Sequence, residues 1–211
     1  MIILGLTGSI GMGKTTTSDN FRKIGIPIHD ADQAVHEMMS EGGEALAFIS
    51  ETFPASVRNG SIDRKVIAKE VFSDKKVLNK IEKFLHPLVR LREKAFLGRC
   101  ARQGKKIVVL DIPLLFETGG EKRCDGVITV SAPKYIQFQR VMCRPDMTPE
   151  RFKTILSRQV SDTEKRKRSD FVILTGLGRH FSLIQTKMIV KITKKWKGRN
   201  WPTSIKTMNL V

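Results

Sequence analysis

Cysteine is scarce in this chain of 211 residues, and long apolar runs are absent from its sequence. Cys100, Cys124 and Cys143 are widely spaced, with neither a C-x-x-C pair nor a histidine cluster beside them. This pattern argues against a disulfide framework and predicts reduced thiols in a cytoplasmic protein. Apolar runs such as 107–110 are far shorter than the ~20 residues that a transmembrane helix needs. The first four residues lack a basic n-region, so we expect no secretory signal.

Acidic residues are also few, with 21 Asp+Glu against 38 Lys+Arg, which gives a net charge of +17. Residues 186–211 hold seven of the basic residues and no acidic one. Such a protein attracts polyanions, but charge alone does not choose among nucleic acids, phospholipid head groups and polyphosphate ligands. With one tyrosine and two tryptophans, few side chains are available to stack on bases. We expect neither a nucleic-acid nor a membrane partner, and interpret 200–211 as a solvated basic tail.

Strand-like and helix-like patterns alternate along most of the chain. Short β-branched runs predict five strands, at 2–7, 26–29, 106–112, 126–131 and 171–174. Helices are predicted at 14–24, from Asp30 or Asp32 onward, at 133–143, after a cap at Thr148, and at 180–195. This alternation predicts an α/β fold of three layers, with a parallel sheet between two layers of helices.

The stretch from 42 to 104 interrupts this alternation, because its pattern is mostly helical. Apolar residues recur at helical spacing in 66–72 and again in 77–85, and Pro87 is expected to break the second run. The stretch is too long for a simple crossover between two strands. We therefore predict a core domain at 1–40 and 105–200, with an inserted helical substrate domain at 41–104.

A glycine-rich motif follows the first strand. GSIGMGKT, at 8–15, matches G-x-x-x-x-G-K-[ST] in full, between a predicted strand and a predicted helix. Glycines let backbone amides turn toward anionic oxygens, and the helix N-terminus adds its positive dipole. The motif therefore predicts a P-loop NTPase fold that binds ATP and Mg²⁺. The predicted nucleotide-binding residues are Gly11, Met12, Gly13, Lys14, Thr15 and Thr16, with Lys14 on the phosphates and the Thr15 hydroxyl on Mg²⁺.

Carboxylates end two of the predicted strands. Asp111 ends the third strand, where P-loop proteins place an acidic residue that holds Mg²⁺, although it could instead cap the next segment. Asp30 and Asp32 follow the second strand, and the carboxyl ends of such strands are where ligands bind. Either could orient an attacking hydroxyl and accept its proton, or could simply cap a helix.

Arginines cluster in the last third of the chain. Arg140 and Arg144 are four residues apart and therefore share a helical face. Together with the basic residues after them they predict a small lid, about 144–168, that closes over ATP and stabilises charge on the transferring phosphoryl group. The alternative for this pair is a solvated charged face. We interpret the run Lys165, Arg166, Lys167 and Arg168 mainly as such a face.

Taken together, the motifs resemble the dephospho-CoA kinase family. The matching segments keep the family's order and cover about residues 4–178. They are GLTGSIGMGKTT (5–16), HDAD (29–32), FLHPLVR (84–90), VVLDIPLLFE (108–117), CDGVITV (124–130) and RQVSDTEKRKRSDFVI (158–173). Ser9, Met12 and Leu174 depart from the family's usual residues.

This resemblance implies ATP-dependent phosphorylation of the ribose 3′-hydroxyl of dephospho-CoA, the last step of coenzyme A synthesis. It implies Asp32, Lys14 and Arg140 as catalytic residues, with Arg144 on the nucleotide and Thr15 and Asp111 on Mg²⁺. It also implies a CoA-binding helical domain. Its substrate-binding residues would be His86, Arg90, Leu115 and Phe116.

Two other functions stay open at this point. A P-loop kinase of another small molecule, such as a nucleoside or a shikimate-like acceptor, would use the insertion for a different substrate. A nucleic-acid-dependent ATPase would explain the net charge of +17, but the sequence shows no recognisable nucleic-acid module. We expect a monomer or a weak homo-oligomer.

Overall fold

A computed structural model describes residues 1–58, 61–62 and 75–201. The described residues form seven strands: β1 (Ile2–Thr7), β2 (Ile28–Asp30), β3 (Val57–Arg58), β4 (Ser61–Ile62), β5 (Ile107–Asp111), β6 (Gly126–Ser131) and β7 (Phe171–Leu174). The helices are α1 (Lys14–Lys23), α2 (Ala31–Met38), α3 (Leu46–Thr52), α4 (Lys75–Arg102), α5 (Lys134–Met142), α6 (Pro149–Ser157), α7 (Asp162–Lys167) and α8 (Arg179–Thr193). Two compact units result, one formed by residues 1–29 and 99–201 and the other by residues 30–98.

Five strands form the main sheet, in the order β2-β5-β1-β6-β7. β1 pairs in parallel with both β5 and β6, and β6 pairs in parallel with β7. Every residue of β1, β5 and β6 is buried, as expected for the centre of a parallel sheet that helices flank. The α/β fold and all five of its strands are therefore confirmed, with ends that shift by one or two residues.

Apolar side chains of the sheet and of two flanking helices form the core of the first unit. Leu4 and Ile128 from the sheet and Phe21 from α1 are fully buried there, and Ile189 and Val190 of α8 join them. A polar contact also joins the two helices, since the Asn20 amide donates to the Ser182 hydroxyl at 2.8 Å. Apolar packing and this polar contact thus hold α1 and α8 together against the sheet.

The second unit has an apolar core of its own. Met38 of α2, Ile49 of α3, and Ile81 and Leu85 of α4 are buried together. The Phe48 and Phe84 rings stack with their centroids 3.9 Å apart. Arg92 also ties α4 to two carboxylates of this unit, with Nη1 3.0 Å from Glu37 Oε2 and Nη2 2.7 Å from Glu44 Oε2.

The sequence analysis of this second unit missed one element and wrongly predicted one helix break. The stretch expected to be mostly helical contains an antiparallel pair of short strands, in which Val57 faces Ile62 and Arg58 faces Ser61. Asn59-Gly60, which lies between them in the sequence, is a strong hairpin signal that the helical interpretation overlooked. The predicted helical pattern at 66–72 falls outside the described residues, as does the tail beyond residue 201.

The second correction concerns Pro87, which was expected to interrupt the helix but lies inside the continuous α4. A proline removes one amide donor and one backbone hydrogen bond, at a cost of about 3 kcal/mol. Buried apolar residues lie on both sides of it, Ile81 and Leu85 before and Leu97 and Cys100 after. Tertiary packing of these residues supports the helix and outweighs that local cost. No helix of the described residues is long and apolar enough to span a membrane.

Candidate active site

The loop between β1 and α1 has a backbone that only glycine adopts easily. Gly11 has φ +76° and Gly13 has φ +92°. A Cβ on Gly11 would lie 2.5 Å from a Val141 methyl carbon, and one on Gly13 would lie 3.0 Å from Thr175 Oγ1. Gly13 is also the N-cap of α1 and has no side chain to satisfy the first amides of the helix. These amides therefore stay directed toward an anion bound in the loop.

Asp111 organises the mouth of this loop from the end of β5. Its carboxylate is only 1% exposed, with Oδ1 2.6 Å from Lys14 Nζ. The Ser18 hydroxyl donates to Oδ2 at 2.5 Å. The sequence prediction included Lys14 and Asp111 but missed Ser18. Because Ser18 lies four residues after Lys14, it shares that residue's face of α1, and this spacing is the signal that could have identified it.

Arg140 holds the loop from the other side. Its guanidinium donates to the Thr175 hydroxyl at 3.0 Å and to the Thr175 carbonyl at 2.8 Å, and lies 3.5 Å from the Gly11 carbonyl. The Thr175 hydroxyl in turn donates to the Met12 carbonyl at 2.6 Å. The side chain of Arg140, the predicted catalytic arginine, therefore contacts the backbone of the phosphate loop, at Gly11 directly and at Met12 through Thr175. Thr175 was missed, although its place directly after β7 is where site residues of parallel sheets occur.

Two glutamines hold the first half of the loop. Gln137 donates to the Ile10 carbonyl at 2.8 Å, and the Ile10 amide donates to Gln159 Oε1 at 3.2 Å. The Met12 side chain is 2% exposed and points away from the loop's ligand side, with its sulfur accepting the Ala132 amide at 3.1 Å. Met12 therefore offers only its backbone to a nucleotide. Thr15 and Arg144, in contrast, have exposed side chains.

A buried ion pair anchors the C-terminal end of the predicted lid. Lys165 is fully buried, with Nζ 2.9 Å from Glu117 Oε1 and 3.3 Å from the Pro113 carbonyl. Glu117 Oε1 also accepts the Val160 amide at 2.8 Å. The interpretation of Lys165 as a solvated charge is therefore wrong. A hydropathy pattern cannot reveal a lysine whose partner lies 48 residues earlier in the chain.

Arg168 also departs from a simple solvated face. Its guanidinium carbon lies 4.3 Å from the centroid of the Phe116 ring, and Nη2 lies 2.8 Å from Glu121 Oε1. Arg166 and Lys167 are exposed, as expected. Of the four cations in this run, one is thus buried, one is paired at the surface and two are solvated.

In the second unit, the structure separates the roles of the two aspartates near the start of α2. Asp30 is the N-cap, and its Oδ1 accepts the Gln33 amide at 3.0 Å. The capping alternative is therefore confirmed for Asp30. Asp32 lies in the first turn of α2 and its side chain is exposed. Asp32 is thus the one of the two whose carboxylate is not committed to the helix cap.

The chain is similar to the members of one known family. The family model described as dephospho-CoA kinase matches residues 2–177, which include the phosphate loop, α4, β5 and the Glu117–Lys165 pair. The chain belongs to the dephospho-CoA kinase family. It is a kinase that uses ATP to phosphorylate dephospho-CoA on its ribose 3′-hydroxyl, the final step of coenzyme A synthesis.

Three relatives illustrate the match. The dephospho-CoA kinase of Mesorhizobium japonicum is 46% identical over 198 residues, which cover 94% of this chain and all of the relative. The crystal structure of TT1252 from Thermus thermophilus is 33% identical, with a TM-score of 0.78 over 90% of this chain and 96% of that one. The dephospho-CoA kinase of Campylobacter jejuni is 25% identical, with a TM-score of 0.68 over 92% and 97% of the two chains.

Two predicted substrate-binding residues of the kinase lie on α4. His86 and Arg90 are four residues apart and therefore neighbours on the helix surface, where His86 is exposed. Arg90 Nη1 lies 3.6 Å from Oε1 of Glu93, whose side chain is largely buried. Burial raises the pKa of Glu93 above its usual value of 4.5, and the Arg90 charge opposes part of that rise.

The other two predicted substrate-binding residues lie in the loop after β5, and both are buried. Leu115 is fully buried and would collide with a Cβ on Gly5, and Phe116 is 6% exposed beneath Arg168. Leu114, in contrast, is 40% exposed. Leu115 and Phe116 therefore lie in the interior beneath this loop. Leu114 is the apolar side chain of the loop that a ligand could touch.

Proposed function

We propose that the kinase binds Mg²⁺–ATP in the loop from Gly11 to Thr16 and transfers the γ-phosphoryl group directly to the 3′-oxygen of dephospho-CoA. The observation that carries this proposal is the buried Asp111 carboxylate, which holds Lys14 and Ser18 at the open end of the phosphate loop. The transfer needs positioning and charge neutralisation rather than a covalent enzyme intermediate. We place the reaction in the cytoplasm, in line with the absence of a disulfide among Cys100, Cys124 and Cys143.

Lys14 has two partners in this proposal. In the structure its ammonium is paired with Asp111, and it is only 17% exposed. Because the Asp111 contact fixes Lys14 next to the loop amides, the ammonium needs little rearrangement to reach the β- and γ-phosphates. Keeping the cation in place before binding lowers the entropic cost of the bound arrangement.

The oxygen donors near the loop fit Mg²⁺, which prefers hydroxyl, carboxylate and phosphate oxygens. The Thr15 hydroxyl is exposed, and the Asp111 carboxylate contacts Lys14 and Ser18 beside the same loop. No group of three or more His, Cys, Asp or Glu residues in the described ranges could hold a metal by itself. We therefore propose Thr15 directly, and Asp111 directly or through water, as protein ligands. The ion would neutralise charge on the phosphates.

We assign the general base to Asp32. Its exposed carboxylate could orient the 3′-hydroxyl and accept its proton, whereas Asp30 spends an oxygen on the α2 cap. The support is the match of residues 29–32 with the family's motif, together with the place of Asp30 at the helix cap. A base that receives the proton as the phosphoryl group is transferred typically contributes at least about 100-fold to the rate.

The arginines have separate proposed roles. Arg140 is half-buried and fixed to Thr175, so it stabilises the loop and presents a charge beside it. Arg144 is exposed one turn later and belongs to the predicted lid. The lid's far end is anchored by Gln159, Val160 and Lys165. We therefore propose that closure over ATP involves about 144–158, rather than the full predicted span to 168.

For the acceptor, we propose that the helical unit binds dephospho-CoA through the surface of α4 that carries His86 and Arg90. Both can donate hydrogen bonds to phosphate oxygens, and Arg90 supplies a permanent charge. We propose a monomer or a weak homo-oligomer as the working form.

Steady-state kinetics of the full chain test these assignments. We expect activity to require Mg²⁺, and Thr15→Ala to raise the Mg²⁺ concentration that gives half-maximal rate, while Thr17→Ala serves as a matched control. Thr17 is suitable because its buried hydroxyl donates to the Gly13 carbonyl within α1, at 3.3 Å. Equal Mg²⁺ dependence in wild type and Thr15→Ala would contradict the metal assignment.

An Arg90→Gln variant that keeps the KM for dephospho-CoA would contradict the acceptor assignment.

A further inference from the structure

The outward surface of α8 carries large apolar side chains where a surface helix usually carries polar ones. Phe181, Ile184, Met188 and Ile192 are 39%, 41%, 57% and 46% exposed. Their spacing of three, four and four residues aligns them in one row along the helix. We refer to these four residues as the α8 outer row.

The opposite side of α8 is the one that packs against the protein, so the exposed row is not the side that belongs in the core. Ser182, Thr186 and Thr193 are buried there, next to Ile189 and Val190. Each hydroxyl is hydrogen-bonded, for example Thr186 to the Ser182 carbonyl at 2.8 Å and Thr193 to the Ile189 carbonyl at 2.9 Å. The helix is therefore seated on its hydroxyl-bearing side, and the outer row is the surface it presents.

The exposed apolar residues are concentrated in this region. Ten large apolar side chains of the described residues are exposed, and six of them lie between 174 and 192. Leu174 and Leu177 directly precede the four residues of the outer row. Single exposed apolar side chains are ordinary on protein surfaces, whereas an ordered group of this kind marks an interaction surface.

Charge in the same region has only one sign. From residue 171 to the end, the sequence has eight basic residues and no acidic one. Lys187 and Lys191 lie on α8 beside the outer row, and Lys194 and Lys195 follow at its end, all with exposed side chains. An apolar row flanked by lysines is the pattern of helices that lie in a membrane interface.

We propose that the α8 outer row docks on the surface of an anionic lipid bilayer. Lipid acyl chains would cover the apolar row, and anionic head groups would pair with the flanking lysines. A second copy of the chain would instead bring like charges together, and a nucleic acid would leave the apolar row uncovered. The helix lies on the membrane and does not cross it. This proposal revises the expectation, drawn from sequence, that the protein makes no membrane contact.

Vesicle co-sedimentation of the full chain tests the proposal. We expect binding to vesicles of phosphatidylcholine with phosphatidylglycerol, weaker binding at high salt, and little binding to phosphatidylcholine alone. Ile184→Ser combined with Met188→Ser is expected to weaken binding to anionic vesicles at least about tenfold. Its ADP-release activity in solution should stay at the wild-type level, because the outer row is not among the residues assigned to the reaction.

The matched control removes two exposed apolar side chains elsewhere, Leu91→Ser with Tyr135→Ser, which are 65% and 66% exposed. This control should sediment like the wild type. Lys187→Gln with Lys191→Gln should weaken binding and reduce its salt dependence.

Three results would overturn the proposal. The first is wild type that remains in the supernatant with anionic vesicles at low salt. The second is unchanged binding of Ile184→Ser/Met188→Ser, which would leave charge alone as its cause. The third is a dimer in light scattering that this variant converts to a monomer, which would make the outer row a contact between copies.

Discussion

The two units of this kinase are stabilised in different ways. In the unit of residues 1–29 and 99–201, buried polar groups meet specific partners, as in the contacts of Asp111 with Lys14 and of Glu117 with Lys165. In the unit of residues 30–98, apolar packing such as the Phe48–Phe84 stack dominates, and the ion pairs of Arg92 lie at the surface. A buried polar contact tolerates little change in geometry, whereas packing and surface pairs tolerate more. We therefore expect substitutions to act more strongly in the first unit, with Asp32 as the exception.

Lys14→Ala should have the largest effect, with turnover falling to background. The substitution removes the cation on the phosphates and leaves the buried Asp111 carboxylate with only part of its hydrogen bonding. Coupled ADP release measures the loss. Lys23→Ala, in the last turn of the same helix and exposed, is the matched control and should keep normal turnover. Substantial activity in Lys14→Ala would show that the loop does not use this cation.

Asp32→Asn is expected to lower kcat by at least about 100-fold, because the amide cannot accept the proton of the hydroxyl. Such a fall in kcat would show that the helical unit contributes a catalytic group. Asp30→Asn is the control, since asparagine caps a helix as well as aspartate does. If the two variants had similar kcat values, the base would have to be sought elsewhere.

Lys165→Met should destabilise the first unit by about 3–5 kcal/mol, the usual cost of leaving one partner of a buried ion pair alone. Urea unfolding measures this change. Lys167→Met removes the same charge from an exposed position of α7 and should change the free energy of unfolding by less than about 0.5 kcal/mol. Combining Lys165→Met with Glu117→Gln should recover part of the loss, because no buried charge is then unpaired. Equal effects of the two lysine variants would contradict the burial of Lys165.

Arg92→Ala should cost the helical unit only about 1 kcal/mol. Its carboxylate partners are more than half exposed, with Glu37 at 57% and Glu44 at 51%, so water and salt screen both pairs. Urea unfolding at low and high salt would show the cost shrinking as salt rises. A cost comparable to that of Lys165→Met would break the contrast between the two units.

Two glutamates of the helical unit should show opposite pH dependences of small size. Burial raises the pKa of Glu93, so this carboxyl ionises at a lower pH in the unfolded chain than in the folded protein. The contribution of Glu93 to the free energy of unfolding therefore falls as pH rises above about 4.5. Glu93→Gln should therefore become relatively more stable with rising pH, by at most about 1.4 kcal/mol per pH unit.

The hydrogen bond from Arg92 lowers the pKa of Glu44, so this carboxylate contributes stability above its usual pKa of 4.5, which is lost as pH falls through the lowered value. Glu44→Gln should therefore become relatively less stable with rising pH. Unfolding of both variants between pH 3 and 7 checks the signs. Slopes of the same sign would contradict the environments described for the two groups.

Local patterns were enough to predict most of the fold and part of the site. β1 and β6 are short, largely apolar runs of six residues next to glycine or polar turn residues, so their length and flanking residues predict buried strands. Gly13 and Lys14 belong to a motif in which each residue has a local reason. The N-cap at Thr148 was likewise correct, since its hydroxyl accepts the Arg151 amide at 3.2 Å.

Tertiary contacts explain what the sequence could not show. Thr175 joins Arg140 to a loop 163 residues earlier, and Lys165 finds its partner in another segment of the chain. The place of Thr175 directly after β7 indicates the ligand-binding edge of the sheet but not its contacts with Arg140 and Met12, and no residue near Lys165 indicates Glu117 as its partner. Pro87 is the opposite case, in which a local effect was given too much weight. The loss of one backbone hydrogen bond at this proline predicted a break, but packing on both sides outweighs that cost and the helix continues.

Coupled ADP release with Mg²⁺–ATP, followed by mass analysis of the product, tests the central claim most directly. Dephospho-CoA would be compared with adenosine, AMP and shikimate as acceptors. The account predicts strong turnover confined to dephospho-CoA, whose mass increases by one phosphoryl group. Intact ATP binding without turnover of dephospho-CoA, or equal turnover of another acceptor, would contradict it.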